Sequence, residues 1–269
     1  TQKEITKTMS TFQNAAAYER YMSGWSRAAG EPFLDWLALP RGLRWLDVGC
    51  GSGAFTALLA ERAAPAELHG LDRSAAMLTH ARDRLRESVQ LHEGDATALP
   101  FATALPFAAA RFDVAVMPLV IVFIDDPGRA VAEMRRVVRP GGTVATYIWD
   151  LPQGFPYYTA FAILRDLGVL PDRVAADEST ALPQLQALWQ RAGLQNVATA
   201  AFSVRQRYPD FAAYWQALQD SASIGERFAA LSEATRQSVR DALRARLPAA
   251  ADGSITLAAR AHAVRGVCP

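Results

Sequence analysis

The stretch LDVGCGSG, residues 46–53, decides the fold of this chain. Its apolar start predicts a buried strand over 44–48, and three glycines follow within five positions. Apolar residues then recur at helical spacing, which predicts a helix over 54–62. Glycine adopts positive φ without steric cost and has no Cβ, so the turn between strand and helix allows a ligand to lie against the main chain.

Strands and helices alternate on the carboxyl side of this turn. Five strands are predicted in the first 150 residues, at 44–48, 67–72, 89–93, 114–117 and 143–149. Continuously apolar strands separated by helices are typical of a parallel sheet that is covered on both faces. The first half of the chain therefore predicts an α/β fold.

The second half predicts two more strands, over 197–207 and 254–267. Helices are predicted over 185–192 and within 210–247. We expect the seventh strand to close the sheet as an antiparallel edge. The complete prediction is a seven-stranded, mostly parallel sheet with an N-terminal lid helix and helical insertions after strand 5 and before the last strand.

The composition argues against several classes of protein. The 269 residues, 51% hydrophobic and 20% charged, suffice for one α/β domain with an elaboration. A net charge of +1 gives no reason to expect nucleic acid as a partner. We find no signal-peptide pattern and no apolar run of the ~18 residues that a membrane span needs. Two cysteines far apart in the sequence make a reducing cytoplasm the simplest compartment. We expect a monomer or a homodimer. Cys50 and Cys268 form no metal-ligand spacing.

Acidic residues stand at the ends of the first three predicted strands. Asp47 precedes the first glycine of the turn, Asp72 ends the second strand, and Asp95 follows the third. Ligands of open α/β sheets collect at the carboxyl edge, where Asp72 can accept hydrogen bonds from both ribose hydroxyls of an adenine nucleoside. A carboxylate beside the glycines disfavours a pyrophosphate and favours a ligand with an ammonium and a sulfonium, such as S-adenosylmethionine.

Five stretches, in this order, resemble the class I S-adenosylmethionine-dependent methyltransferases. They are LDVGCGSG at 46–53, GLDRSAAML at 70–78, EGDATALPF at 93–101, RFDVAV at 111–116 and EMRRVVRPGG at 133–142. Within that superfamily the chain is similar to the small-molecule group that includes the ubiquinone and menaquinone C-methyltransferases. The segment YERYMSGWSR at 18–27 resembles the lid of some bacterial members.

The resemblance implies a Rossmann-like fold, S-adenosyl-L-methionine as cofactor and S-adenosyl-L-homocysteine as product. It implies that Gly49, Cys50 and Gly51 contact the methionine part, Asp72 the ribose, Arg73 and Met77 the adenine faces, Asp95 and Ala96 the adenine edge, and Pro118 or Leu119 the methionine carboxylate. We expect four segments: an arm with lid helices at 1–39, a cofactor-binding core at 40–150, a lid or substrate insertion at 151–182, and the rest of the core with helical cover at 183–269.

Absent motifs narrow the acceptor to a small molecule, because the chain lacks the Asn/Asp-Pro-Pro-aromatic motif after strand 4, any lysine after Lys7, and a Cys-Pro nucleophile. We expect an apolar or aromatic acceptor, methylated on oxygen, carbon or nitrogen. The residues expected to bind it are Tyr21, Trp25, Tyr157 and Tyr158. The catalytic residue stays unknown, and the candidates for a general base are Tyr21, Asp150, Tyr157 and Tyr158.

Two alternatives from other classes stay open. The first is a protein that binds S-adenosylmethionine and has lost transferase activity. The second is an NAD-dependent oxidoreductase on a similar fold, which the carboxylate of Asp47 disfavours because it would repel a pyrophosphate.

Overall fold

A computed structural model describes residues 15–85, 89–99, 110–168, 170, 179–220, 225, 228–247 and 249–269, with side chains from Met22 onward. The helices in these ranges are α1 (Ala15–Leu37), α2 (Ala54–Ala63), α3 (Ala75–Leu85), α4 (Pro127–Val137), α5 (Tyr158–Asp166), α6 (Leu182–Arg191), α7 (Phe211–Gln219) and α8 (Glu233–Arg246). The strands are β1 (Arg44–Val48), β2 (Glu67–Asp72), β3 (Gln90–Glu93), β4 (Phe112–Val116), β5 (Val138–Trp149), β6 (Gln195–Tyr208) and β7 (Ile255–Val267). None of these helices combines the length and the apolar character that crossing a bilayer requires.

The seven strands form one sheet in the order β3-β2-β1-β4-β5-β7-β6. The first five strands are parallel, and β7 is antiparallel to both β5 and β6. This topology confirms the predicted seven-stranded, mostly parallel fold. It also brings the carboxyl ends of β1 to β4 to one edge, and that edge positions the candidate site.

The prediction that the last strand forms the edge of the sheet is wrong. β7 lies between β5 and β6, so that His262 pairs with Ile148 on one side and with Ala201 on the other. The middle of β7 is buried, whereas β6 is mostly exposed or half-buried. An apolar, alanine-rich strand fits the interior of a sheet, and a more polar strand suits the edge that meets water.

The predicted start of β5 at Thr143 is five residues late, because the strand begins at Val138. The pairing register between β4 and β5 shifts in this region. Gly141 takes a φ of +74°, and a Cβ at Gly142 would lie 2.6 Å from the carbonyl oxygen of Asp113. Gly141 therefore permits a left-handed backbone inside the strand, and Gly142 lets β5 lie close to Asp113 of β4.

Helix α1 is part of the core. Trp25 and Phe33 are fully buried, and the ring of Phe33 lies 4.9 Å from that of Tyr147 on β5. The position of Gly30 has no room for a larger residue, since a Cβ there would lie 2.7 Å from the side chain of Leu58 on α2. Helix α1 is therefore fixed against the sheet and against the helix that follows the glycine turn.

Candidate active site

The turn after β1 is built on glycines in the left-handed region. Gly49, Gly51 and Gly53 have φ values of +75°, +54° and +78°. A Cβ at Gly49 would lie 2.5 Å from the side chain of Val120, so this glycine also lets the loop after β4 approach. At Gly51 a Cβ would meet no described atom within 4 Å, because the main chain there lines a cavity.

This cavity has a volume of about 510 Å³ and lies at the carboxyl ends of β1 to β4. All ten residues that the sequence predicts for the cofactor line it: Asp47, Gly49, Cys50, Gly51, Asp72, Arg73, Met77, Asp95, Ala96 and Pro118. They come from four separate stretches of the chain. The parallel pairing of neighbouring strands brings them together.

Asp72 joins the end of β2 to the glycine turn. One carboxylate oxygen accepts a hydrogen bond from the Gly51 amide at 2.9 Å, and the other accepts one from the Ser74 amide at 2.8 Å. The Ser74 hydroxyl in turn accepts from the Met77 amide at 3.3 Å and caps α3. Burial raises the pKa of Asp72, and the amide hydrogen bonds oppose the rise. The Arg73 amide also stabilises the charged form of Asp72, and a carboxylate with about four lone-pair sites keeps room for a donor from a ligand.

Asp47 lines the cavity and is only 1% exposed. Its Oδ2 accepts a hydrogen bond from the Thr56 hydroxyl at 2.7 Å, and its Oδ1 is buried without a partner among the described residues. Burial raises the pKa of Asp47 to about 7. The hydrogen bond from Thr56 lowers this pKa, and the negative charge of Asp72 raises it further. A cationic group of a ligand would supply the missing partner and favour the charged carboxylate.

Asp95 follows β3 and has a different environment. Its Oδ1 accepts hydrogen bonds from the amide and the hydroxyl of Thr97, at 2.7 and 2.6 Å. These bonds lower the pKa of Asp95, and the charges of Arg73 and Arg129 lower it further. Asp95 is therefore a charged acceptor at the rim of the cavity.

Sequence reasoning missed several residues of the cavity wall. The loop after β4 contributes Phe123, Ile124 and Asp125, and Phe123 is 44% exposed although it is aromatic. The sequence feature that marks this loop is the apolar run Ile121–Phe123, which forms a short 3-10 helix. This run continues no periodic pattern, so it does not indicate a cavity wall. Thr56, which holds Asp47, was also missed; its signal is a hydroxyl in the first turn of the helix after the glycines.

The structure does not place the residues predicted for the acceptor on the cavity wall. Trp25 and Tyr157 are 0% and 1% exposed, and their polar atoms lie 3.0 and 2.9 Å from the hydroxyl of Tyr208. Tyr158 is 37% exposed and, like the other two, does not line the cavity. The side chain of Tyr21 lies outside the described part of the chain. Helix α1 lines the cavity with Met22, Ser23 and Ser26.

Asp150, a candidate general base, is held in an ion pair away from the cavity. It is 3% exposed, and its Oδ2 accepts hydrogen bonds from the Nε, at 2.7 Å, and from a terminal nitrogen of Arg260. The Asp150 amide also donates to the carbonyl oxygen of Arg260. These contacts join the end of β5 to β7. A general base must lie within hydrogen-bond reach of the substrate proton, and the Asp150 carboxylate is instead bonded to Arg260.

Comparisons with known proteins give matches to methyltransferases. Residues 46–146 match the family described as a methyltransferase domain. The chain is 33% identical over 190 residues to the biotin biosynthesis bifunctional protein BioHC of Cellvibrio japonicus, which covers 70% of this chain and 35% of that protein. It is 30% identical over 182 residues to the demethylmenaquinone methyltransferase of Bacillus licheniformis, with coverages of 61% and 76%.

A solved structure shares the fold. Phosphoethanolamine N-methyltransferase 2 of Haemonchus contortus, in complex with S-adenosyl-L-methionine, aligns with a TM-score of 0.57 and 18% identity. The alignment covers 96% of this chain and 57% of that chain.

The chain belongs to the class I S-adenosylmethionine-dependent methyltransferases, and S-adenosylmethionine is its cofactor. The residues present fit that group, since one buried oxygen of Asp47 has no partner among the described residues and Gly51 leaves the main chain open to the cavity. The chain spans between 35% and 52% of the length of three of the curated relatives that it matches.

Proposed function

We propose that this protein transfers a methyl group from S-adenosylmethionine to a small, uncharged acceptor that is apolar or aromatic. The observation that carries the proposal is the single cavity that unites Asp47, Gly51, Asp72 and Asp95 at the ends of three neighbouring strands. Relatives named 2-phytyl-1,4-naphtoquinone methyltransferase and demethylmenaquinone methyltransferase support an aromatic acceptor.

The strand order arranges the cofactor contacts along one line. Neighbouring strands lie about 4.8 Å apart, so Asp95 after β3, Asp72 at β2 and Asp47 at β1 follow one another across the edge. Asp95 would accept from the adenine amino group, Asp72 from the ribose hydroxyls, and Asp47 from the ammonium of the methionine part. The acceptor then lies beyond β1, on the side of β4 and β5.

The residues of this chain contribute orientation and the exclusion of water. When bound, S-adenosylmethionine supplies a methyl group that its sulfonium already activates. Holding such a group in line with an acceptor atom lowers the activation barrier by as much as about 7–11 kcal/mol through proximity and orientation alone. Apolar Met22, Val120 and Ile124 line the cavity beside the serines of α1, and they suit an uncharged acceptor. The charged Asp125, Asp126 and Arg129 line the same cavity.

The first test is calorimetric titration of the purified protein with S-adenosylhomocysteine and, separately, with NADH. We expect saturable one-to-one binding of S-adenosylhomocysteine and none of NADH. The second step is a screen of hydroxylated aromatic compounds for methyl transfer from S-adenosylmethionine. Binding of NADH in place of S-adenosylhomocysteine would overturn the proposal, and tight cofactor binding without turnover across the screen would favour an inactive binding protein.

A further inference from the structure

The turn after β3 is held by one side of helix α4. The Nε of Arg129 donates a hydrogen bond to the carbonyl oxygen of Thr97 at 2.9 Å. Glu133 accepts one from the Leu99 amide at 3.0 Å, and Arg136 donates one to the Leu99 carbonyl oxygen, also at 3.0 Å. Arg129, Glu133 and Arg136 are four and three residues apart, so they share one side of the helix. We call these three residues the α4 clamp.

Glu133 and Arg136 form an ion pair with two hydrogen bonds. The Nε of Arg136 donates to one oxygen of Glu133 at 2.8 Å, and a terminal nitrogen donates to the other oxygen at 2.7 Å. These bonds lower the pKa of Glu133 and raise the pKa of Arg136, so both side chains are charged at neutral pH. Paired bonds of this kind fix the orientation of the two groups. The pair therefore holds the amide and the carbonyl group of the buried Leu99 in a defined position.

The turn that the α4 clamp holds also carries residues of the cavity wall. Asp95 and Ala96 line the cavity. The Ala98 amide donates to the Asp95 carbonyl oxygen at 3.1 Å, and Thr97 donates twice to the Oδ1 of Asp95. In the described part of the chain no residue donates to the Oδ2 of Asp95. The contacts of the clamp thus reach the Asp95 carboxylate through Thr97 and leave one oxygen for a ligand.

The order of the strands explains why this turn needs support from a helix. β3 lies at one edge of the sheet, and β2 is its one neighbour. The Gly94 amide donates to the Asp72 carbonyl oxygen at 3.0 Å, but Asp95 comes after the end of this pairing. Beyond Gly94 the position of the main chain therefore depends on the turn and on the α4 clamp.

We propose that Glu133 and Arg136 are positioning residues for cofactor recognition, because by holding Leu99 they aim Asp95 at the adenine amino group. This inference rests on the proposed function, in which Asp95 accepts from that amino group. Arg129 lines the cavity itself, whereas Glu133 and Arg136 are outside its described wall, so their effect on the cofactor passes through the turn. The inference also gives a role to the stretch EMRRVVRPGG at 133–142, which contains none of the residues expected to contact the cofactor.

The test compares S-adenosylhomocysteine with an analogue whose purine carries hydrogen in place of the 6-amino group. The ratio of the two dissociation constants reports the contact to that amino group, and a general loss of stability affects both constants equally. In calorimetry near neutral pH the wild type should prefer S-adenosylhomocysteine about tenfold, which is the effect of one hydrogen bond to a charged group. Asp95→Ala should show almost no preference.

Two variants of the α4 clamp test the positioning role. Glu133→Ala and Arg136→Ala should each reduce the preference to about twofold, because Asp95 loses its alignment while it keeps its charge. Glu133→Gln retains an oxygen that can accept from the Leu99 amide, so it should restore most of the preference. A role in stability alone would leave the preference unchanged in all three variants.

Arg135→Ala is the matched control. Arg135 is the neighbour of Arg136 on α4 and likewise donates to a main-chain carbonyl oxygen, that of Ala192 at 2.9 Å, but this oxygen lies after α6 and outside the turn. Its removal should leave the preference at the wild-type value.

The possible failures are distinguishable. A full preference in both Glu133→Ala and Arg136→Ala overturns the inference, and so does an equal loss of preference in Arg135→Ala. Equal binding of the two ligands by the wild type overturns the role of Asp95 and this inference with it. If the wild type binds neither ligand, the proposed function itself is wrong.

Discussion

The hydroxyl of Thr56 donates to one oxygen of Asp47 at 2.7 Å and leaves the other oxygen buried without a partner in the described chain. Since the native pKa of about 7 lies above the ordinary value of 3.8, the native state holds this proton more tightly than the unfolded chain does. The free energy of unfolding without ligand should therefore fall as pH rises from about 4 to 7. Above about pH 7 the full destabilisation by the charged, buried Asp47 is present.

Asp47→Asn should remove that cost and raise the free energy of unfolding by about 1–3 kcal/mol above pH 7. It should also weaken S-adenosylhomocysteine at least tenfold, because the ammonium loses a charged partner. In the wild type, binding should weaken as pH falls below about 7. Denaturant unfolding measures the stability and calorimetry measures the affinity, each from about pH 4 to pH 9. Asp83→Asn, on the exposed face of α3, is the control for charge, and equal affinities of Asp47→Asn and wild type would contradict the assignment.

Asp72→Asn should weaken S-adenosylhomocysteine by about 100-fold, since the side chain loses its charge and one of its two acceptor oxygens becomes a donor. The variant should also melt at a lower temperature, because one amide oxygen cannot accept from both Gly51 and Ser74 as the carboxylate does. Calorimetry and thermal unfolding separate the two effects. Retained affinity in a folded Asp72→Asn protein would remove Asp72 from the cofactor site.

Gly49→Ala and Gly42→Ala form a matched pair of substitutions at positive φ. Both positions have φ of +75° or more, but a Cβ at Gly49 would lie 2.5 Å from Val120, whereas one at Gly42 would have no atom of the described residues within 4 Å. We expect Gly42→Ala to cost about 1 kcal/mol and Gly49→Ala about 2–4 kcal/mol, because the second adds a clash to the strain. Adding Val120→Ala should recover part of the loss. Equal destabilisation of the two glycine variants would contradict this account.

Arg260→Ala should destabilise the fold by about 3 kcal/mol, because it leaves the buried carboxylate of Asp150 without its cation. Arg207→Ala removes an exposed ion pair with Asp252 and should change the stability little. Urea unfolding of both variants measures the difference. An Asp150→Asn enzyme with normal stability and abolished methyl transfer would show that the carboxylate acts as a base after all.

The carboxylates of the candidate site could be predicted because each one stands next to the end of a strand. Asp47, Asp72 and Asp95 are far apart in sequence, yet parallel pairing brings strand ends together whatever the loops do. Ser74 is a helix cap of the kind that the sequence can predict, because serine is favoured at that position and its hydroxyl bonds an amide only three residues later. The fold class followed in the same way from the alternation of apolar strands and helices.

Features that depend on packing between distant elements could not be predicted. Aromatic residues such as Trp25 and Tyr157 have the same spacing whether they line a cavity or fill a core, and the structure buries both. The place of β7 depends on whether β6 or β7 pairs better with β5. That difference arises from packing against β5, and the sequence of neither strand reveals it alone. The exposed Phe123 lies in a loop without periodicity, where pattern arguments have no basis.

The position of β7 between β5 and β6 has a consequence for synthesis on the ribosome. Strand β6 is made first but has no neighbour in the sheet until β7 has been translated, more than 45 residues later. Until then the nascent chain exposes two open strand edges, on β5 and on β6, and open edges are templates for aggregation. The glycine turn and the strands β1 to β4 pair with strands that are translated before β6. The cofactor half of the sheet can therefore form while the other half is still incomplete.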